Sequence, residues 1–269
     1  MMVNDGSNLD NGYAAKMPGN TFTEFVAAHE ILHSCFPFYM GINEKRYPFM
    51  DEGWTTAFEY LFNIKDLGEG VATDLFKEFR VKELVPPRND LDIPIITPAD
   101  ALRGPIASSN AYGRAALGYL ALKDLMGEEA FKKALREFMA RWNGKRPLPW
   151  DMFNTFNAAS GQDLNWFFER WFFEPNYIDL AVGGVEKTDG GYIVKVDNPG
   201  GMPIPFDVTV TYADGTQGSF HQNPALWQNS PHAATIALAA DQEITKLELD
   251  GGIFMDATPP NNTWTAPKP

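Results

Sequence analysis

The 269 residues carry 22 Lys and Arg against 35 Asp and Glu, a net charge of −13, with four His and one Cys. Hydrophobic residues make up 44% and aromatics 13%, enough for a buried core, so a mainly disordered chain is excluded and the length suits one large domain or two ordinary ones. The acidic balance without a Lys/Arg cluster argues against a nucleic-acid partner, and no apolar run approaches the ~20 residues that span a bilayer. Cys35 alone cannot make an intrachain disulfide, and the N-terminus lacks the apolar stretch of a signal peptide, so the compartment stays open.

In chain order, residues 1–20, rich in Asn, Gly and Asp, read as loop. Thr21 with Glu24 three residues on forms a capping-box start, and the helix it opens is expected to run to about Phe36 and stop at Pro37. Further helices are expected over about 51–63 and 71–84. Five prolines between 85 and 107 mark a long connection, of a length common around functional sites. The helical pattern resumes at 108 or 109 and lasts to 126, with Gly127 as C-cap. Phe131, Leu135, Phe138 and Trp142, then Leu164, Phe167, Phe168 and Trp171, recur at helical spacing and read as core stripes, not as a cofactor box.

After Pro175 the period falls to two, at 192–196, 206–210 and 244–249, with turn signals at Asp189-Gly190-Gly191 and Asp214-Gly215. The fold class expected is therefore α+β: a mainly helical lobe over 1–175, a small antiparallel β-sandwich over 176–260, and a tail over 261–269.

Two of the four histidines fall within five residues, His29-Glu30-Ile31-Leu32-His33. On a helix, positions i and i+4 share a face, so both imidazoles can reach one ion, while Glu30 is turned by about 100° toward a water beside it. Catalytic zinc takes three protein ligands and keeps a position open, and His₂Glu is one such set. Glu52, in Met50-Asp51-Glu52-Gly53-Trp54, follows eighteen residues after His33, with Pro37, Gly41 and Pro48 between them to turn the chain back. The bland alternatives are core histidines and a solvated first-turn acid.

HEILH…MDEGWTTAFEY resembles the zinc-helix and Glu-helix signature of the aminopeptidase N and leukotriene hydrolase family of gluzincin zinc peptidases. Tyr112-Gly113-Arg114-Ala115-Ala116-Leu117 looks like that family's Tyr-x-Lys-Gly-Ala-Leu stretch, with Arg114 in place of Lys and Ala115 in place of Gly. LMGEEAFKKALREFMARW and ASGQDLNWFFERWFFEPNY look like the closing helices of its catalytic lobe. The resemblance covers about residues 20–260. It implies a zinc metallopeptidase of aminopeptidase type, acting on peptides with one Zn²⁺ per chain held by His29, His33 and Glu52. Glu30 is then the general base and Tyr112 the hydrogen-bond donor to the oxyanion.

Glu59, seven residues after Glu52 on the same helix face, matches a glutamate the family often carries and is a candidate to orient a ligand; a surface acid is the alternative. Cys35 reads as a small buried residue facing away from the histidines, and His221 and His232 as loop or surface residues. The family's amine-anchoring Gly-x-Met-Glu-Asn motif is absent from the 28 residues before His29. The resemblance therefore implies a chain truncated at its N-terminus, with the missing upstream region as its partner and self-association through an apolar face left open. Whether such a chain hydrolyses peptides by itself is left open. A thermolysin-type endopeptidase and a non-catalytic zinc-binding module are the competing readings.

Overall fold

The computed structural model describes residues 21–85, 93–103 and 105–267. Helices occupy the part up to residue 173 and strands the part from residue 181, an α+β arrangement. The loop expected over 1–20 and part of the proline-rich connection lie outside the described residues, as do the side chains of the capping box at 21–24.

α1 (Thr21–Leu32) ends four residues before the predicted Phe36. Ser34 N and Cys35 N bond back three residues, to the Ile31 and Leu32 carbonyls at 3.0 and 2.9 Å, so the chain tightens where a helix would continue. Pro37 supplies no N–H and disfavours helical backbone at Phe36, which leaves that last turn nothing to extend into. α2 (Glu52–Leu67) overruns its predicted end and stops at Gly68, whose φ of 85° takes the chain out of the helix.

α3 (Glu69–Phe76) then widens into a π-helical turn, Lys77–Val81. The single helix expected over 108–126 is two, α4 (Pro105–Ala111) and α5 (Gly113–Met126). They kink at Tyr112, whose φ and ψ are −101° and −90°. Asn110 on α4 donates to the Ile93 carbonyl at 3.0 Å and so ties down the described end of the proline-rich connection.

α6 (Glu128–Trp142), α7 (Pro149–Ser160) and α8 (Asn165–Phe168), the last running into a second π turn at Glu169–Phe173, close the helical part. Both expected stripes are core: Phe131, Phe138, Leu164, Phe167, Phe168 and Trp171 are buried, and Leu135 and Trp142 pack against them.

The strand-rich part holds two antiparallel sheets. One has the order β1 (Ala181–Thr188), β2 (Gly191–Asp197), β5 (Ala233–Ala239). The other runs β4 (Gln217–Gln222), β3 (Phe206–Tyr212), β6 (Ile244–Asp250), β7 (Thr263–Thr265). Tyr192, Val194 and Val196 on β2 and Val208, Val210, Leu247 and Leu249 on β3 and β6 alternate with outward residues and enter one buried cluster. Both turn signals hold: Thr188 pairs with Gly191 across Asp189-Gly190, and β3 pairs with β4 around Asp214-Gly215. Residues 261–269 are not a tail in their described part. β7 pairs with β6, Lys246 opposite Thr265, an edge strand too short for alternation to reveal.

The two parts are joined by buried contacts. Trp171 is fully buried and donates Nε1 to the Pro203 carbonyl at 3.0 Å, and Arg170 donates to the Trp227 carbonyl at 2.5 Å. Arg114, buried on α5, donates to the carbonyl of Asn176 just before the strands begin. Among the described residues no helix is long and apolar enough to cross a membrane.

Candidate metal centre

α1 and the turn after it present His29 and His33 side by side, their rings edge-on with centroids 4.9 Å apart. The eighteen residues after His33 double back through the 3₁₀ turn Pro48–Met50, so that α2 starts against them with Glu52 as its first residue. Glu52 Oε2 lies 3.1 Å from His29 Nε2 and 3.3 Å from His33 Nε2. One donor atom from each of the three residues lies within 4.8 Å of the other two.

Gly53 and Trp54 allow α2 to stand there. A Cβ on Gly53 would sit 2.6 Å from Ala115 Cβ, so only glycine lets α2 press this closely on α5. Trp54 then drives into the core, stacked on Tyr119 with centroids 3.7 Å apart and donating Nε1 to Met152 Sδ at 3.3 Å. Glu52, Gly53 and Trp54 thus provide a donor, a close approach and an anchor in consecutive positions.

The far nitrogen of each imidazole is held as well. His29 Nδ1 donates to Glu59 Oε2 at 2.7 Å. His33 Nδ1 donates to the Phe36 carbonyl at 2.7 Å and to Asp51 Oδ1 at 2.8 Å. With Nδ1 carrying the proton, each Nε2 lone pair is turned toward Glu52, the tautomer and aim that a metal-ligating histidine needs. Asp51 precedes α2 where a helix cap belongs, yet its side chain makes no capping bond and serves His33 instead.

The donor set suits a zinc ion. Bonds of about 2.0–2.2 Å put neighbouring donors of a tetrahedron roughly 3.3–3.6 Å apart. The two Glu52 separations of 3.1 and 3.3 Å are close to that range before any ion draws the donors in. The charges are compatible with a cation: Glu59 is paired with the Arg80 guanidinium, while Asp51 and Glu52 face the imidazoles.

Burial opposes charge on both histidines, but hydrogen bonds from Glu52 and Glu59 raise His29, and those from Asp51, Glu52 and the Phe36 carbonyl push His33 up to about 10. Burial works against the Glu52 carboxylate too, and its bonds to His29, His33 and Tyr112 override it and hold it well below the usual range. Burial, then the bond to the Glu52 carboxylate, raises Tyr112 and keeps its hydroxyl protonated.

Tyr112 occupies the kink between α4 and α5, its ring stacked at 21° on that of His29 with centroids 6.0 Å apart. Glu30 is half-buried beside His29, and among the described residues no hydrogen bond engages its carboxylate. Glu59 is fully buried, so of its two readings the surface acid is excluded. The remaining candidates stand apart. Cys35 is half-buried against the core. His221 lies on β4 between Asp207 and Asp124, and His232 Nδ1 donates to the Asn198 carbonyl at 3.1 Å.

Sequence reasoning passes over Asp51 and Arg80. Asp51 is visible only as a helix-opening acid, and no local signal separates a cap from an imidazole partner eighteen residues away. Arg80 lies within the helix predicted over 71–84, where nothing local marks its partner. The π turn that redirects it leaves no mark in the apolar spacing.

A family model described as the Peptidase family M1 domain matches residues 9–171. Aminopeptidase N of Lactococcus lactis subsp. lactis is 28% identical over 67 residues, 25% of this chain and 8% of that protein. Among solved structures, Legionella pneumophila aminopeptidase A in complex with aspartic acid matches with a TM-score of 0.59 at 19% identity, a likeness of fold. That match covers 84% of this chain and 25% of the other, so the chain spans a quarter or less of the length of both relatives.

Proposed function

The chain belongs to peptidase family M1, and on that premise we propose that it is a zinc-dependent peptidase of aminopeptidase type, with His29, His33 and Glu52 as metal ligands. The observation that carries the reading is the convergence of donors from His29, His33 and Glu52 within 4.8 Å of one another, Glu52 Oε2 lying 3.1 and 3.3 Å from the two Nε2 atoms, with both Nδ1 atoms already committed elsewhere. Both named relatives are aminopeptidases, which favours a peptide with a free amino terminus as substrate. The same reading divides the chain into a catalytic lobe over 1–175 and a β-sandwich from 176, supported by the change from helix to strand between Phe173 and Ala181.

Zinc, when bound, acts as a Lewis acid on the scissile carbonyl and makes a water acidic near neutral pH. Glu30, with no hydrogen-bond partner among the described residues, takes the proton from the attacking water and delivers it to the departing amine. Tyr112, held protonated, donates its hydroxyl hydrogen to the oxygen on which negative charge develops. Glu59 and Asp51 hold the two imidazoles in the tautomer that leaves Nε2 unprotonated.

The test is zinc content together with hydrolysis of aminoacyl-arylamides, wild type against Glu30→Gln. We expect about one zinc in both chains and a loss of turnover of roughly 10²–10⁴-fold in the variant. Undiminished turnover removes Glu30 as the base, and a wild type that takes up no zinc overturns the reading as a whole. Zinc uptake without hydrolysis by the wild type keeps the metal site and rejects peptidase activity for this length of chain. Cleavage of amine-blocked peptides would instead identify an endopeptidase.

A further inference from the structure

Arg80 lies outside both sequence motifs, in the π turn Lys77–Val81, yet three parts of the site meet at its guanidinium. Nε donates to Glu59 Oε1 at 3.2 Å and Nη2 donates to Glu59 Oε2. Nη2 also lies 3.4 Å from His29 Nδ1. The guanidinium carbon stands 5.1 Å from the Phe25 ring centroid and 5.7 Å from that of Tyr112. A side chain cut off from water, as that of Glu59 is, needs partners for both its oxygens, and a planar two-pronged donor supplies them best. Glu59 Oε2, so held, accepts the Nδ1 proton of His29 and leaves Nε2 open.

The backbone fixes the same residue a second time. A Cβ at position 113 would sit 1.8 Å from the Arg80 carbonyl oxygen, so the π turn rests directly on the residue after Tyr112. Arg80 and Tyr112 are thereby set relative to each other by main-chain contact as well as by the ring. Arg80 thus sits in a π turn, a widening of the helix that is frequent at functional positions.

We propose that Arg80 is a positioning residue of the metal centre: through Glu59 it fixes the tautomer and aim of His29, and through its stack on Tyr112 it ties the oxyanion donor to that same ligand. The inference rests on the zinc reading above. The effect of Arg80 on the ligands passes through Glu59. Lysine is a poor substitute, because it keeps the charge but loses both the fork and the flat face.

The experiment is a double-mutant cycle on the full chain, read as zinc dissociation constants from competition with a chromogenic chelator. The absorption spectrum of the cobalt-loaded protein reports ligand geometry independently. Arg80→Met, which keeps length and apolar contact with Phe25 and Tyr112, is expected to weaken zinc binding about 10–100-fold and to shift the cobalt bands. Arg80→Lys is expected to recover part of the loss. Glu59→Gln should cost about as much as Arg80→Met, and the double variant little more than either alone. Zinc binding by Arg80→Met equal to wild type overturns the inference, and so do losses that multiply in the double variant. Should Arg80→Met fail to fold by circular dichroism, Arg80→Lys carries the same cycle. A wild type without zinc affinity overturns the proposed function and this inference together; wild-type affinity retained by Arg80→Met overturns this inference alone.

Discussion

Two places in this molecule set an imidazole between two carboxylates. His29 has Glu59 at 2.7 Å and Glu52 at 3.1 Å; His221 has Asp207 at 2.9 Å and Asp124 at 3.1 Å. Partner chemistry and distance barely differ, and in both the bonds to carboxylates outweigh burial and raise the histidine above its ordinary value. The difference lies in what else arrives. His29 is 5% exposed, and a second histidine directs its Nε2 at the same Glu52 oxygen. The His221 side chain is 54% exposed and each nitrogen meets a separate acid, one on β3 and one on α5. The first arrangement gathers donors around one point, while the second clips a sheet to a helix. A histidine flanked by acids is thus no evidence of a metal centre, and convergence of donors is.

The comparison breaks most sharply under metal titration. His33→Ala is expected to weaken zinc binding by more than the 10–100-fold that losing a supporting hydrogen bond costs, whereas His221→Ala should leave it within twofold of wild type. Calorimetric zinc titration of both variants measures this, and equal losses would erase the distinction.

A second measurement asks how far the centre depends on packing beneath it. Gly53→Ala gains up to about 1 kcal/mol in helix propensity but places a methyl 2.6 Å from Ala115 Cβ. The clash is expected to win, with a net loss of about 1–3 kcal/mol in urea unfolding. A variant more stable than wild type would mean that α2 and α5 can part at no cost.

The smallest effect belongs to His221. Its folded-state value is raised, so its stabilising bonds are fully present below the unfolded value of 6.5 and fade as pH rises through the folded value. The cost of His221→Ala should therefore be greatest near pH 5.5–6, a few tenths to about 1 kcal/mol for so exposed a pair, and should approach zero in alkaline buffer. Denaturation midpoints across that range decide it, and a cost that grows with pH reverses the assignment.

How much of this is legible in the sequence depends on the range of the forces involved. His29 and His33 are set by helical periodicity alone, and Glu52 by a turn-rich return of fixed length, so spacing reads all three. Glu59 is readable for the same reason, two turns along one helix face from Glu52. Periodicity also gives the aromatic stripes of α6 and α8 and the cores of β2, β3 and β6. It misses β7, which has three residues, and it misses the kink at Tyr112, beside which Gly113 lies close against the Arg80 carbonyl of the π turn. Arg80 and Asp51 are invisible for one shared reason. Their partners lie at distant positions, and a lone cation or acid on a helix looks the same whether it faces water or an imidazole.

Glu52, Gly53 and Trp54 also bear on how much freedom the carboxylate of the candidate centre has. A metal ligand on a flexible loop can swing aside while the rest of a protein stays folded. Here the residue after the carboxylate is wedged against α5 and the next is stacked in the middle of the core, so Glu52 has no hinge of its own. Moving its backbone means parting two packed helices. The backbone under the carboxylate is as fixed as the core it borders, and any adjustment toward an ion falls to rotation of the Glu52 side chain alone.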